Sequence, residues 1–315
     1  LALDLEGGEL QWYDQPNPHD VFDLDFQSPR ILTTATVNGS ERTIVIASGK
    51  LGRVIANDVE TGERLWDTQV GEHQNDDAAG VNPGETLTVM PGTLGGVETP
   101  MALADHVVYV PVVNLASTHS PTGFDAVDGP QALENVQTNI PEGRGEFVAI
   151  DVTSGDILWT TEYETPIFSG ATVINDLVFF ATFDGVIHAL NRESGEEVWS
   201  YQAPAQINAW PAVSGDTIVW PAGLGETPVL LALRLGAAEG EMMEGDGEEI
   251  DMEAGLDGAA LVEERCTVCH SRERIDNADK TAEEWAATVD RMISNGAMLN
   301  DAERDAVIQY LAETH

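Results

Sequence analysis

The two cysteines of the 315-residue chain stand three apart, in the run Cys266-Thr-Val-Cys269-His270. Two thiols at this spacing can each bond one vinyl group of a haem while the adjacent imidazole reaches the iron. The run is therefore the attachment motif of a c-type haem. A redox cysteine pair or half of a zinc site would use the same residue types. However, no second cysteine pair accompanies the run and no βαβ pattern surrounds it. The sixth iron ligand is expected to be a soft thioether, and Met292 and Met298 both follow the motif. Met292 shares a helical face with Trp285 and Val289, where a methionine also serves as core packing. Met298 falls in the loop before the last helix.

The elements that must hold this motif are helical. Thr281-x-x-Glu284 has the form of a capping box, opening a helix that ends near Gly296. Asn300 or Asp301 can cap a last helix on which Val307, Tyr310 and Leu311 share a face. A helix, the haem motif and two further helices make a small all-α cytochrome c domain over 258–315. The stretch 236–257 is mostly Glu, Asp, Gly and Met without periodicity, and reads as a flexible acidic linker.

Residues 1–235 have a different period. Four segments share the pattern Ala-x-Asp-x-x-(Ser/Thr/Gly)-Gly-x-x-x-Trp: Ala2 to Trp12, Ala56 to Trp66, Ala149 to Trp159 and Ala189 to Trp199, with Asn191 in place of Asp in the fourth. Each reads as a hairpin. Asp or Asn bonds the turn backbone, Gly8, Gly62, Gly155 and Gly195 take a positive φ, and the Trp offers a flat surface to a neighbouring unit. The flanking runs, such as Thr43-Ile-Val-Ile-Ala47, His106-Val-Val-Tyr-Val110 and Leu177-Val-Phe-Phe-Ala181, read as strands. Repeats built of strand and turn predict an all-β propeller. The tryptophans are 54, 93 and 40 residues apart. The outer spacings fit single blades with loops, and the gap of 93 suggests two blades, one lacking the motif.

Composition narrows the function. Fifty-five acidic residues against 14 basic ones give a net charge of −41, which repels nucleic acid. The basic residues include only two lysines, Lys50 and Lys280, and this balance points to a halophilic source, where salt screens self-repulsion. No apolar run approaches the ~18 residues that span a bilayer. The sequence starts at Leu1 inside a repeat unit, with neither Met nor signal peptide, so an upstream part is expected to be missing. An open half-propeller would expose strand edges and is expected to be poorly stable alone.

Further motifs carry a resemblance. Pro18-His-Asp-Val-Phe-Asp-Leu-Asp25, Ser48-Gly-Lys-Leu-Gly-Arg-Val54, Leu94-Gly-Gly-Val-Glu-Thr-Pro100 and Gly170-Ala-Thr-Val-x3-Leu-Val-Phe-x-Ala-Thr-x-Asp-Gly185 join the blade pattern. With them the chain resembles the C-terminal part of the pyrroloquinoline quinone (PQQ)-dependent alcohol dehydrogenases fused to a cytochrome c domain. The resemblance implies the C-terminal blades of an eight-bladed propeller. It places the catalytic base on Asp23, a cation contact to the quinone on Lys50, and a Ca²⁺ or lanthanide on Asp23 and Asp25. Asp25 matches the extra carboxylate of lanthanide-using members, and a trivalent ion needs more negative charge than Ca²⁺ does. In the cytochrome pattern the recurring methionine corresponds to Met292, which is preferred to Met298.

The implied activity is oxidation of an alcohol or sugar with PQQ, electrons leaving through the haem to a cytochrome, a blue copper protein or a quinone chain. Haem attachment implies a periplasmic or otherwise extracytoplasmic location. One departure points the other way. Family members carry Asn-Trp after the Gly-Gly that matches Gly95-Gly96, where this chain has Val97-Glu98. A non-catalytic propeller scaffold with a haem electron-carrier domain is the alternative.

Overall fold

A computed structural model of the chain describes residues 1–37, 39–81, 85–120, 136–225 and 228–236, together with 258–262, 266, 272, 275, 278, 280–294, 299 and 301–314. The chain divides into two compact units, Leu1–Gly236 and Ala237–His315. Apart from Gly236, the stretch read as an acidic linker lies outside the described residues.

The first unit is a partial propeller. A hairpin of β1 (Ala2–Leu3) and β2 (Leu10–Trp12) is followed by a four-stranded blade of β3 (Ile31–Val37), β4 (Ser40–Ser48), β5 (Arg53–Asp58) and β6 (Arg64–Gln69). The next blade joins β8 (Ala102–Ala104), β9 (Val107–Asn114), β12 (Arg144–Asp151) and β13 (Ile157–Tyr163). The third is β14 (Thr172–Ile174), β15 (Leu177–Ala181), β16 (Val186–Asn191) and β17 (Glu197–Gln202). A three-stranded sheet of β18 (Ala212–Ser214), β19 (Thr217–Ala222) and β20 (Val229–Arg234) closes the described part. Neighbouring strands within each blade are antiparallel.

The repeated sequence pattern is the joint between blades. In each motif the Asp or Asn side chain accepts turn N–H groups, as Asp58 does from Glu60 (3.0 Å) and Thr61 (2.9 Å) and Asp151 from Thr153 (2.8 Å) and Ser154 (2.9 Å). The glycine then adopts φ of +73° at Gly62, +78° at Gly155 and +72° at Gly195. Across the strand pair the alanine faces the tryptophan, Ala56 opposite Trp66, Ala149 opposite Trp159 and Ala189 opposite Trp199. The first three tryptophans each dock on the glycine of the following motif: Trp12 on Gly62, Trp66 on Gly155, Trp159 on Gly195. The indole N–H donates to the turn it covers, at Val59 O (2.8 Å), Val152 O (2.8 Å) and Arg192 O (3.0 Å). A Cβ on any of these glycines would strike the ring. The alternating inward residues of adjacent blades fill the space between them, for example Ile44, Ile46, Val54, Val108, Val110 and Ile150 between the first two full blades.

The gap of 93 residues holds one blade, not two. Trp66 docks directly on the Val152–Gly155 turn, so the blades carrying Trp66 and Trp159 are neighbours. The extra length forms an inserted three-stranded sheet, in the order β11-β10-β7, from β7 (Leu87–Val89), β10 (Ser117–His119) and β11 (Val136–Thr138). Its strands have three residues each, too short for a readable alternation, and its length matched that of a blade.

In the second unit, α1 (Gly258–Leu261), α2 (Ala282–Ser294) and α3 (Asp301–Thr314) surround an apolar core of Leu261, Val262, Ile275, Trp285, Val289, Val307 and Leu311. The capping box forms at α2: Thr281 N donates to Glu284 Oε2 (2.9 Å) and Glu284 N to Thr281 Oγ1 (3.3 Å). Gly258 lies against Ala306 O and the Tyr310 side chain, a crossing of α1 on α3 with no room for a Cβ. Arg304 of α3 grips Asp290 of α2 through Nε (2.6 Å) and Nη2 (3.1 Å).

Candidate active site

Three loops of the propeller unit meet around Lys50. The first is the segment 20–28, whose pattern puts apolar residues at 22 and 24 and acids at 23 and 25. Phe22 and Leu24 are buried with Leu51 and Val89, and Phe22 packs its ring on His119 of the inserted sheet at 4.9 Å. The insertion is thus the base of the site. Asp20 shapes the loop from within, accepting N–H groups from Phe22 (3.1 Å) and Leu24 (2.9 Å). Between those two bonds Asp23 takes φ of +63°, a left-handed conformation that Asp tolerates better than most residues.

The other two loops are knitted to the first through the backbone. Lys50 N donates to Asp25 O (2.8 Å), Val97 N to Gly49 O (3.0 Å), and Ser28 Oγ to Val97 O (2.8 Å). Gly49 lies against the Asp25 carbonyl and Gly96, at φ +76°, against the Lys50 carbonyl, where any side chain would collide. Gln27 bridges the set, its Nε2 donating to Glu98 Oε2 (3.1 Å) and its Oε1 accepting from Lys50 N (3.3 Å).

On this frame Lys50 Nζ donates to Asp23 Oδ2 at 2.7 Å and stands 3.6 Å from Asp25 Oδ2. The lysine side chain is 15% exposed, Asp23 47% and Asp25 59%, so the ammonium is sunk and the two acids form the rim. Burial alone would lower the Lys50 pKa; the Asp23 hydrogen bond and the charges of Asp23, Glu98 and Asp25 outweigh it and hold the ammonium above its usual value. Burial raises the Asp25 carboxyl, as do a hydrogen bond and the charge from Asp23, with Lys50 opposing. Glu98 is pushed up to about 7, chiefly by burial, against the pull of Lys50 and the Gln27 hydrogen bond. Its Oε1 is buried and has no hydrogen-bond partner among the described residues.

The structure therefore brings Asp23, Asp25 and Lys50 together. Sequence reasoning missed Glu98, Gln27 and Asp20. Glu98 sits at the departure from the expected Asn-Trp, which was the signal for it, but one acid among 55 carries little weight alone.

The donor types differ in the group that each suits. Carboxylate oxygens suit a hard cation, and Asp23 and Asp25 would give two of the roughly six to eight oxygens that Ca²⁺ takes. Among the described residues no three His, Cys, Asp or Glu are gathered to hold a metal. The sunken Lys50 ammonium suits the electron-rich oxygens of a quinone, and the acidic rim suits a cation. At the haem motif, Cys266 is half-buried against the apolar core of the second unit, and burial raises its thiol against the charge of Arg272. A thiol facing an apolar core suits a thioether link to a porphyrin. Met292 is half-buried on α2, while Cys269, His270 and Met298 lie outside the described residues.

Comparison with known proteins follows the same division. Residues 1–89 match the model of the glucose/ethanol/alcohol dehydrogenase β-propeller domain, and residues 256–315 that of the haem-binding domain of the quinohemoprotein amine dehydrogenase alpha subunit. These two matches make the chain similar to the PQQ-dependent quinohaemoprotein alcohol dehydrogenases. Residues 143–233 match the model of the outer membrane protein assembly factor BamB.

Among curated relatives, the putative dehydrogenase XoxF of Paracoccus denitrificans is 28% identical over 239 residues, 66% of this chain and 40% of the relative. The lanthanide-dependent methanol dehydrogenase of Methylorubrum extorquens is 24% identical over 238 residues, 65% of this chain and 40% of the relative. The chain thus spans about two fifths of the length of these relatives. The solved quinohemoprotein alcohol dehydrogenase ADHIIG of Pseudomonas putida shares its fold, with a TM-score of 0.63 and 18% identity over 98% of this chain and 56% of that one.

Proposed function

We propose that the chain works in a quinohaemoprotein dehydrogenase that oxidises an alcohol or sugar and sends the electrons out through a covalently bound c-type haem. The observation that carries this reading is the 2.7 Å pairing of Lys50 with Asp23, on loops fixed to one another, in a chain that also holds Cys-x-x-Cys-His. When bound, PQQ supplies a carbonyl carbon that accepts hydride, and a Ca²⁺ or lanthanide ion polarises the quinone oxygen.

The chain's own residues do the rest. Asp23 Oδ takes the hydroxyl proton of the substrate, and its fixed loop holds it at the mouth of the site. Lys50 directs its ammonium toward the quinone oxygens, since Nζ has three donors and Asp23 uses one of them. Asp23 and Asp25 present oxygens to the cation, and Asp25 is the carboxylate that favours a lanthanide. Cys266 and Cys269 would hold the haem covalently, and His270 with Met292, or else Met298, would ligate its iron. The acceptor is a cytochrome, a blue copper protein or a quinone chain. The chemistry takes place in the periplasm or on the outer face of the cell, and the acidic surface suits high salt. Among the described residues no helix is long and apolar enough to cross a membrane.

The test is dye-linked oxidation of alcohols and sugars by the complete gene product from a haem-maturing host, with PQQ and either Ca²⁺ or La³⁺. Turnover that needs both quinone and metal is expected. Protein that binds no quinone and turns over nothing would leave the non-catalytic scaffold, which Val97-Glu98 favours.

A further inference from the structure

In the second unit Arg272 follows His270 by two residues, a span of at most about 7 Å between Cα atoms. Its side chain is held by α3. Nη2 donates to the Tyr310 hydroxyl at 2.9 Å, and the guanidinium carbon stands 5.8 Å from the centroid of the same ring. Arginine combines these contacts readily, because its planar fork can bond an oxygen and lie against a π face together. Tyr310 is itself fixed. Its Cβ fills the space beside Gly258 of α1, and its ring packs on the apolar core of the unit, the same core against which Cys266 is half-buried. Burial raises the Cys266 thiol, and the charge of Arg272 opposes it. Arg272 is half-buried, where salt screens a charge less than on the open surface. A phenol and its ring orient a guanidinium without cancelling its charge. Arg304 of α3 is different, being paired with Asp290 and Asp305.

We propose that Arg272, aimed by the positioning residue Tyr310, is a fixed cation that makes the haem iron easier to reduce. This rests on the reading of Cys-x-x-Cys-His as a haem site. Reduction adds one electron to ferric iron and lowers its charge by one, with no bond made or broken. In the proposed dehydrogenase that electron comes from the reduced quinone. A cation held nearby repels the ferric charge more than the ferrous charge and so raises the reduction potential. The surface of the chain acts in the opposite sense, since its 55 acidic residues favour the more positive ferric state. Arg272 offsets that field at short range, and from a place that salt reaches less.

The test is a spectroelectrochemical titration of the c-type haem band in the complete gene product from a haem-maturing host, without quinone or substrate. Arg272→Gln is expected to lower the midpoint potential, in molar salt as well as in dilute salt. Arg272→Lys keeps the charge, and its midpoint is expected to stay above that of Arg272→Gln. Tyr310→Phe keeps the ring beside Gly258 and removes only the hydroxyl, and is expected to lower the midpoint part of the way. If Arg272→Gln takes up no haem, Tyr310→Phe decides. Arg304→Gln removes a cation already held by two carboxylates and is expected to move the midpoint less than Arg272→Gln does. A midpoint unmoved in Arg272→Gln or in Tyr310→Phe, an equal fall in Arg272→Lys or Arg304→Gln, or a shift that disappears in molar salt overturns the proposal. A wild-type product without covalent haem would overturn the haem reading and this proposal with it, and is told apart by the missing pyridine haemochrome band. Because no turnover is involved, a failure of the dehydrogenase reading would appear only in the activity assay.

Discussion

Replacing Gly155 with alanine isolates the joint between blades. Gly155 lies under the Trp66 ring at φ +78°, whereas Gly215, at φ +59°, has open space where a Cβ would go. Both substitutions force a left-handed alanine, at roughly 1–2 kcal/mol each. Only Gly155→Ala also drives a methyl group into a packed indole, adding about 1–3 kcal/mol by the measure of overpacked cores. The difference between the two variants is therefore the docking contribution. It is read from urea unfolding followed by tryptophan fluorescence, and as a Tm gap of roughly 2–4 °C per kcal/mol for a unit of this size. Equal destabilisation by the two substitutions would refute the claim that the tryptophan–glycine contact locks the blades. The fourth tryptophan gives an internal comparison. Trp199 is 41% exposed against 8% for Trp66, because no following motif glycine covers it, and it stacks on Tyr201 instead. Trp199→Ala is expected to cost much less than Trp66→Ala.

Other outcomes follow from the two sites. Asp23→Asn should lower kcat by about 10²–10⁴ while quinone binding, followed by its absorbance, is retained. Thr281→Ala removes the capping box of α2 and should destabilise the haem unit by about 0.5–2 kcal/mol, seen in unfolding followed at the haem absorbance. Cys266→Ala should leave haem held through a single thioether, detected as a shifted pyridine haemochrome band. The Glu98 carboxyl is raised in the folded chain, so the native state holds its proton to higher pH than the unfolded state. Its contribution is favourable below the ordinary glutamate range and is lost progressively up to about pH 7. Glu98→Gln should therefore gain stability relative to the wild type as pH rises from 5 to 8, measured by urea midpoints.

The blade joints were legible because their chemistry is local. An Asp or Asn, a glycine four residues on and a tryptophan four further specify the turn, the positive φ and the docking surface within eleven residues. The capping box was readable for the same reason. The single blade between Trp66 and Trp159 was not, since its inserted sheet depends on pairing between β7 and β10 that short strands do not announce. At the candidate site the acids and Lys50 could be placed only through motif resemblance. Their meeting depends on Gly49 and Gly96 letting three loops touch, a long-range fact. Glu98 was hidden by composition: in so acidic a chain its significance comes from burial, which no sequence pattern shows.

The central claim is that one chain couples the Asp23–Lys50 site to its haem. Its most direct test is the haem spectrum of the quinone- and metal-loaded complete gene product on anaerobic addition of alcohol or sugar. The account predicts that the c-type haem becomes reduced in the wild type and stays oxidised in Asp23→Asn with quinone still bound. A haem that remains oxidised in the loaded wild type with every alcohol and sugar tried, or that is reduced equally well in Asp23→Asn, would contradict it.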